Sequence, residues 1–313
     1  MSGARTHTVL ESLATQTVAH RTLVVDNASP DEAVSRACGD FEFAKPIRSD
    51  VNLGFSRAVN RAVRMAEGEA IVLANDDAVY EPDFVGQLIG ALDPEAGVMM
   101  AAGALRADRA PGVLDTAGIE IDRTLLASDY LHGRPVEILE RELADPFGPS
   151  GAAAAYDRAA FVAMGGFDEQ IFAYFEDLDL ALRMRLAGWT CRLAAGARGS
   201  HQHAATLGSG SRQKNYLMGF ARGYLLRKWG VISPDRAIAV AARELAICSG
   251  QAVVDKNLQC LRGRIDGWSR ATPAASFPAA LVKREATLTL RDSLGQRLRR
   301  RVRPSGLAAP DRI

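Results

Sequence analysis

Three carboxylates within four positions are the most informative chemical feature of the sequence. Glu176, Asp177 and Asp179 follow the aromatic pair Tyr174-Phe175. Carboxylates this close repel one another, so a fold keeps them together mainly where a cation or a proton-transfer role offsets the repulsion. They also open a helical pattern, and the N-terminal end of a helix favours each negative charge by about 0.3–1 kcal/mol. That effect accounts for one or two acids more readily than for three.

The three acids of this group differ in what their spacing predicts. Asp179 lies four residues before Arg183, which predicts an ion pair across one helical turn. Glu176 and Asp179 are interpreted as neighbours of a reacting carboxylate. They would position it or change its pKa, or line the side of the site where a second substrate binds. Asp177 is left by elimination as the candidate general base.

A second acidic group, Asn75-Asp76-Asp77, follows the apolar run 70–74, and Asp26 ends the apolar run 22–25. In open parallel sheets, ligands bind outside the carboxyl ends of the strands, so these acids are expected to converge. Mg²⁺ and Mn²⁺ prefer oxygen ligands and commonly bind one or two carboxylates plus substrate phosphates. The pattern favours a cation-dependent site for a phosphorylated substrate. The alternatives are a solvated loop with a helix cap for residues 75–77 and a local Asx-turn for Asp26.

Two weaker signals surround these acids. Asn52 and Gly54 lie just before a predicted helix, where backbone N–H groups bind anions, although a plain turn explains one glycine equally well. His201 and His203 are one residue apart, so a strand would place both on one face, where imidazoles bind ions such as Mn²⁺. Paired histidines are more often structural.

The composition sets outer limits on function. A net charge of +1 gives no sign of a nucleic-acid partner. The 4 cysteines lack CxxC spacing, which argues against a disulfide framework or a zinc site and favours a reducing compartment. The N-terminus shows no apolar signal region, and no charge-free window is long enough to span a bilayer. We therefore expect a cytoplasmic protein, at most peripheral at the inner face of a membrane.

Apolar runs at 22–25, 70–74 and 98–102 alternate with helical patterns at 8–19, 82–92 and 177–187. This alternation predicts an α/β fold with a mostly parallel sheet flanked by helices. Residues 103–149 read as irregular. We predict one domain over 1–228 and a helical, basic extension over 229–313. The extension carries an arginine cluster that either contacts an anionic membrane surface or forms a solvated end; it comprises Arg297, Arg299, Arg300, Arg301 and Arg303.

The order of these motifs resembles family 2 glycosyltransferases of the GT-A (Rossmann-like) fold, and within them a rhamnosyltransferase-like branch. The resemblance covers about residues 8–228. It rests on six motifs in order: 24–29 (VVDNAS), 52–55 (NLGF), 73–77 (LANDD), 165–169 (GGFDE), 175–180 (FEDLDL) with Arg183, and His201.

The resemblance implies a role for each motif. On the donor side, Asp26 would contact the nucleotide base, Asn52 and Gly54 would lie against the donor, and Asp76 would reach the ribose or the metal. Asp77 would hold Mg²⁺ or Mn²⁺, and His201 would complete the metal site. Asp177 matches the catalytic base of the family.

The activity implied is inverting, metal-dependent transfer of a sugar, with rhamnose suggested by the branch. The donor would be a nucleotide-diphosphate sugar and the acceptor a glycan or lipid-linked hydroxyl, as in cell envelope polysaccharide biosynthesis. A nucleotidyltransferase is the competing enzyme class, but the Gly-rich basic phosphate loop expected of one is not evident. A non-catalytic scaffold of the same fold is the third alternative.

Two departures from the family pattern bear on activity. The chain starts at the first helix, so the strand that usually precedes it, central in the sheet, is expected to be missing. Phe220-Ala221 stands where many relatives carry Arg-Asn, which puts a donor or acceptor contact there in doubt.

Overall fold

The computed structural model describes residues 3–201, 210–274, 276–278 and 281–282. His203 and the arginine cluster 297–303 lie outside these described residues, so the predictions made for them stay predictions. The elements below are numbered in chain order over the described ranges.

The helices alternate with strands in the first two thirds of the chain and dominate the last third. They are α1 (Gly3–Ala14), α2 (Ala33–Gly39), α3 (Gly54–Met65), α4 (Phe84–Ala91), α5 (Arg158–Ala163), α6 (Glu176–Leu186), α7 (Arg212–Lys228), α8 (Ala237–Asp255) and α9 (Gln259–Arg270), with a 3₁₀ turn at Val136–Glu140.

The strands are short except for two long ones in the centre of the larger sheet. They are β1 (Thr22–Asn27), β2 (Ala44–Ser49), β3 (Ala70–Ala74), β4 (Ala78–Tyr80), β5 (Val98–Ala107), β6 (Ala110–Thr116), β7 (Ile119–Ile121), β8 (Ala127–Asp129), β9 (Ala153–Asp157) and β10 (Thr190–His201).

The larger sheet has the order β3-β9-β5-β10-β4, with β6 added against β5. Only β5 and β10 pair in parallel within it, while β9 runs antiparallel between β3 and β5. The expectation of a mostly parallel sheet is corrected on this point. The reason is the path of the chain, which returns through β6, β7 and β8 before β9 enters between β3 and β5 in the reverse direction.

A separate parallel pair, β1–β2, carries Asp26 at its end. No strand among the described residues pairs with both β1 and β3, so the pair β1–β2 is a separate sheet. The strand β2 was not predicted because Lys45, Pro46 and Arg48 interrupt its apolar pattern; only Ile47 and Ser49 are buried.

The region 103–149, expected to be irregular, contains the hairpin β7–β8 and the end of the β5–β6 pair. Further along, α6 buries Leu178 and Leu182 against α7 and α8, through Leu225 and Val240. Leu186, placed on the same stripe by its spacing, is 46% exposed, because α6 ends there. The boundary between 228 and 229 stays a prediction.

Candidate active site

The two acidic groups meet on either side of the short segment Gly151-Ala152. The backbone N–H of Asn75 donates to Tyr80 Oη (2.8 Å), and that hydroxyl donates to the carbonyl of Ala152 (2.9 Å). The adjacent N–H of Gly151 donates to Asp177 Oδ2 (3.0 Å). The end of β3 and the start of α6 are therefore joined through one turn, although about a hundred residues separate them in the chain.

Asp177 is held by backbone amides rather than by a cationic side chain. Besides Gly151, the N–H of Leu178 donates to Asp177 Oδ1 (2.8 Å). Burial raises the pKa of Asp177 to about 6, the two amide hydrogen bonds oppose this rise, and the charge of Asp129 adds to it. A carboxylate whose pKa is raised in this way is a stronger base once it is ionised.

The backbone is left-handed at two consecutive residues just before α6. Tyr174 has φ 71° and Phe175 φ 66°, a conformation that costs non-glycine residues of order 1 kcal/mol each. Burial, then Glu176 and Asp77, raise the pKa of the Tyr174 hydroxyl, so this ring lies within electrostatic reach of both acidic groups. The strained turn thus carries an aromatic ring toward the site and sets the direction in which α6 starts.

Two buried carboxylate oxygens of the site accept no hydrogen bond from the described residues. They are Glu176 Oε2 and Asp76 Oδ2, and the second lies 3.4 Å from the guanidinium of Arg5. Burial, followed by the charge of Asp177, raises the pKa of Glu176 well above its usual value. Burial also raises the pKa of Asp76, with Asp77 adding to the effect and Arg5 opposing it. Such oxygens are normally satisfied by a proton, a water or a cation.

His201 lies between two carboxylates at the end of β10. Its Nε2 is 3.2 Å from Asp77 Oδ1 and its Nδ1 is 2.8 Å from Asp115 Oδ2. Burial alone would lower the pKa of His201, but the hydrogen bonds to Asp115 and Asp77 outweigh it and raise the pKa to about 9. The imidazole is therefore oriented by Asp115 with its other nitrogen toward Asp77.

The chemistry of this donor set suits a hard or borderline divalent cation. Asp77 offers carboxylate oxygens and Asp76 a buried oxygen without a hydrogen bond. With a pKa of about 9 the His201 ring is protonated at neutral pH, so Nε2 would become a ligand only when a cation displaces its proton, while Asp115 holds Nδ1. Among the described residues no group of three or more His, Cys, Asp or Glu forms a complete metal site. Mg²⁺ commonly binds one or two carboxylates together with substrate phosphates.

Asp26 is fully buried at the end of β1. It accepts from the N–H of Ser29 (3.0 Å) and forms an ion pair with Arg48 (3.0 Å) at the end of β2. The side chain of Asp26 thus makes a local backbone hydrogen bond, but to the third residue on rather than to the second, as an Asx-turn would. Contact of Asp26 with a nucleotide base stays a prediction.

The loop 52–54 is tied to β1 by the side chain of Asn27. That amide accepts from the N–H of Leu53 (2.7 Å) and donates to the carbonyl of Gly54 (3.0 Å), while Asn52 Oδ1 accepts from the N–H of Gly54 (3.0 Å). Gly54 has φ 77°, and a Cβ there would collide with the carbonyl oxygen of Phe172. Only glycine fits this position without strain.

Asp179 is a fully buried centre of ion pairs. The predicted pair with Arg183 is present (2.9 Å), and the same carboxylate is bound by Lys228 (2.8 Å) and by the indole N–H of Trp229 (3.0 Å). Lys228 also pairs with Asp168 (2.7 Å). Asp179 thus fixes α6, the helix whose first turn carries Asp177, to the end of α7.

Several residues of the site escaped sequence reasoning. Asp115 orients His201 across 86 positions, and Asp129 acts on Asp177 from the hairpin β7–β8. Neither belongs to a motif; the only signal was the presence of isolated acids in a region taken as irregular. Phe220 packs against Tyr216 and Tyr224 in α7 and Ala221 is buried, so these positions provide helix packing.

The family comparison agrees with this arrangement. The sequence profile described as "Glycosyl transferase family 2" matches residues 3–161, about half of the chain. The chain belongs to glycosyl transferase family 2. It is a glycosyltransferase, and the resemblance stated from its motifs is confirmed.

The relatives of this family 2 glycosyltransferase include a rhamnosyltransferase. The N-acetylglucosaminyl-diphospho-decaprenol L-rhamnosyltransferase of Mycobacterium tuberculosis is 30% identical over 212 residues, which is 59% of this chain and 67% of the relative. An uncharacterized protein, y4gI of Sinorhizobium fredii, is 26% identical over 219 residues, 66% of this chain and 24% of its own length.

Solved glycosyltransferase structures share the fold. GalNAc-T7, solved with UDP, GalNAc and Mn²⁺, superposes with a TM-score of 0.56 at 12% identity, covering 76% of this chain and 47% of its own. The mannosyltransferase PcManGT from Pyrobaculum calidifontis, solved with GDP-Man and Mn²⁺, gives 0.52 at 17% identity, covering 89% and 74%. At these identities the likeness concerns the fold alone, and it confirms the predicted GT-A class.

Proposed function

We propose that this family 2 glycosyltransferase moves rhamnose from a nucleotide-diphosphate donor to a hydroxyl of a lipid-linked acceptor, with inversion at the anomeric carbon. The observation that carries the proposal is the joining of Asp177 to the Asn75–Asp77 turn through Gly151-Ala152. It brings a candidate base and a candidate phosphate-side group to the two sides of one turn. The rhamnosyltransferase relative, whose name specifies a diphospho-decaprenol acceptor, supports the choice of sugar and acceptor.

Asp177 acts as the general base in this proposal. It removes the proton of the acceptor hydroxyl while that oxygen attacks the anomeric carbon from the face opposite the diphosphate. One carbon–oxygen bond forms to the acceptor and the bond to the phosphate oxygen breaks. A single base and one in-line displacement give inversion, and a phosphate leaving group needs no second protein acid, unlike hydrolysis by paired carboxylates.

Asp77 and His201 would hold Mg²⁺ or Mn²⁺, with Asp76 beside them on the ribose or metal side. When bound, the cation neutralises the charge that develops on the leaving diphosphate. Asp115 keeps the His201 ring in position for this role, since it binds the nitrogen on the far side of the ring.

Asp26, Asn52 and Gly54 form the donor side of the proposed site. The buried Asp26 carboxylate pairs with Arg48 and so holds the ends of β1 and β2 together. In this proposal it thereby shapes the donor pocket. The hydrogen bonds between Asn27 and the 53–54 backbone keep the loop against that end. We propose that the enzyme works in the cytoplasm at the inner face of a membrane, where a lipid-linked acceptor is accessible.

A donor screen tests this proposal. Melting temperature is measured with UDP-, GDP- and dTDP-sugars in the presence of Mn²⁺ or of a chelator. We expect one donor class to raise the melting temperature in the presence of Mn²⁺, by mass action on the folded state. Asp77→Asn should abolish this metal-dependent increase, and the exposed control Asp40→Asn, 65% exposed in the folded chain, should keep it.

Transfer is then measured with the selected donor and an N-acetylglucosaminyl-diphospho-polyprenol acceptor. A product whose anomeric configuration is opposite to that of the donor sugar supports the proposal. The absence of any donor effect would instead favour the scaffold alternative, and release of pyrophosphate from a nucleoside triphosphate would favour a nucleotidyltransferase.

A further inference from the structure

The charged side chains in the middle of helix α8 face the rest of the protein. Glu244 accepts from Arg222 of α7 (2.8 Å) and from Arg264 of α9 (2.5 Å), and Arg243 pairs with Asp122 at the end of β7. The Arg222 guanidinium is itself buried and donates to the backbone carbonyls of Thr124 and Leu125, in the turn after β7. The polar side of α8 is therefore occupied inside the fold.

The outward side of the same helix is apolar. Ile238, Leu245 and Val253 are 86%, 70% and 77% exposed, and the spacing of 7 and 8 residues places them on one face. The exposed positions between them are alanines and Ser249, with no charge. A surface helix of a soluble protein normally shows the opposite distribution, with its apolar stripe against the core.

Helix α9 extends this apolar surface. Leu261, Ile265 and Trp268 recur at i, i+4 and i+7 and are 45%, 62% and 39% exposed. The opposite face of α9 is fixed against α7, because Gly263 and Gly267 leave no room for a Cβ beside the α7 backbone. The apolar residues of α9 are therefore held outward. We call the exposed side chains of α8 and α9 together the outer face.

Basic groups border the outer face. Lys256 caps the end of α8 and Arg270 ends α9, and both are exposed. Arg262, 72% exposed, lies 3.9 Å from Asp266, a separation at which the exposed pair contributes little and leaves the guanidinium accessible to an anionic headgroup. A cleft of about 380 Å³ beside it has two arginines, two glutamines and a tyrosine in its wall: Arg212, Gln213, Tyr216, Gln259 and Arg262. Apolar stripes with arginine and tryptophan at their borders are typical of helices that lie in the interface of a membrane.

By length and composition, α8 is the one described helix that would also be able to cross a bilayer. Its ion pairs with α7, α9 and β7 argue for a helix lying along the surface, because a crossing would require Glu244 and Arg243 to leave Arg222, Arg264 and Asp122.

We propose that the outer face is a docking surface for an anionic lipid bilayer, in which α8 and α9 lie in the plane of the headgroups. Charge complementarity selects this occupant. The apolar residues enter the acyl boundary while Lys256, Arg262 and Arg270 meet anionic headgroups. A second copy of the chain on the same face would oppose these cations to each other. The proposal rests on the membrane location given with the proposed function and names the surface that would provide it. It is tested without substrate, so its failure is distinguishable from failure of the proposed transfer activity.

Vesicle binding of the full chain tests it directly. The chain is sedimented with vesicles of phosphatidylglycerol mixed equally with phosphatidylcholine, and with vesicles of phosphatidylcholine alone. We expect binding to the anionic vesicles and at least about tenfold weaker binding to the neutral ones, since each basic group near the surface contributes. The double variant L245E/I265E should weaken binding to anionic vesicles by about tenfold or more. The matched control V162E/I89E changes two exposed apolar residues, 54% and 40% exposed, outside the outer face and should bind as the wild type does.

Tryptophan quenching supplies a second measurement. Bromine-labelled acyl chains in the anionic vesicles should quench part of the fluorescence, and Trp268→Phe should remove that quenching while vesicle binding remains. Melting curves establish that each variant is folded. The proposal is overturned if the wild type does not sediment with anionic vesicles, or if L245E/I265E binds them with the affinity of the wild type. A dimer in light scattering that L245E/I265E dissociates, without vesicle binding, would show instead that a second copy covers the face.

Discussion

The N–H of Gly151 lies 3.0 Å from Asp177 Oδ2 and donates a hydrogen bond to it. Gly151 precedes the antiparallel strand β9, whose neighbour Ala152 is linked to the turn after β3 through Tyr80. The position of the candidate base is thus set by the same turn that borders Asp76 and Asp77. Since no lysine or arginine pairs with this carboxylate in the contacts described above, its basicity is set mainly by burial.

The activity of the enzyme should fall on the acidic side of about pH 6. Burial raises the pKa of Asp177 to about 6, and only the ionised carboxylate accepts a proton. The base is therefore active above this pKa and is lost as the pH falls through it. A profile of kcat/KM against pH, taken at saturating metal, checks this. An acidic limb centred near the usual aspartate value of about 4 would contradict the assignment.

Asp177→Asn should make the stability of the folded chain less dependent on pH. Because the folded-state pKa lies above the unfolded value, the folded chain binds the extra proton between about pH 4 and pH 6 and loses stability as the pH rises through that window. The neutral amide avoids this loss. The amide also leaves one of the two N–H donors unpaired, a cost that does not change with pH. We therefore expect the melting temperature of the variant, relative to wild type, to be higher near about pH 7.5 than near about pH 5. A difference that is the same at both pH values would argue that ionisation of Asp177 is not its source.

Asp179→Ala should destabilise the fold strongly. The substitution leaves Arg183 and Lys228 without a buried carboxylate between them and removes the acceptor of the Trp229 indole. Breaking a buried pair from one side costs about 3–5 kcal/mol, measured as the free energy of unfolding in denaturant. Glu67→Ala, which removes a pair with Arg21 whose partners are 82% and 84% exposed, is the control and should have little effect. Equal effects of the two substitutions would show that Asp179 does not anchor α6.

Gly54→Ala should disturb the loop that borders the donor side. Gly54 and Gly97 share a left-handed backbone, with φ 77° and 74°, but only Gly54 faces a close neighbour, the carbonyl of Phe172. Gly97→Ala therefore reports the backbone cost alone, about 1–2 kcal/mol. We expect Gly54→Ala to cost more than this and to raise the KM for the donor, while Gly97→Ala leaves the KM unchanged. Equal stabilities, with no change in the KM for the donor, would contradict the packing argument.

How much of the molecule could be predicted from sequence depended on how local the determining interactions are. The apolar run 70–74 is followed by Asn75 and two acids, so β3 and the acidic turn after it could be predicted without any distant contact. The acids at 176–179 likewise marked the start of α6. The strand β2 was hidden by Pro46 and its charged neighbours, because its burial comes from pairing with β1.

Long-range partners were the part that sequence could not supply. The role of Asp115 depends on a contact with His201 made by the return of β10 beside β5. The antiparallel direction of β9 depends on its path between β3 and β5, which alternation of apolar runs does not encode. The exposure of the apolar side of α8 could not be predicted either. An apolar helical pattern predicts burial of that side, and only the inward contacts of Arg243 and Glu244 show the opposite orientation.

The measurement that tests the account most directly compares donor binding and sugar transfer in Asp177→Asn. The amide keeps an oxygen for the N–H of Gly151 but cannot accept the proton of an acceptor hydroxyl. We predict a kcat about 10²–10⁴-fold below that of the wild type, with the donor Kd essentially unchanged. Transfer at the wild-type rate by a folded, donor-binding Asp177→Asn variant would contradict the assignment of Asp177 as the base.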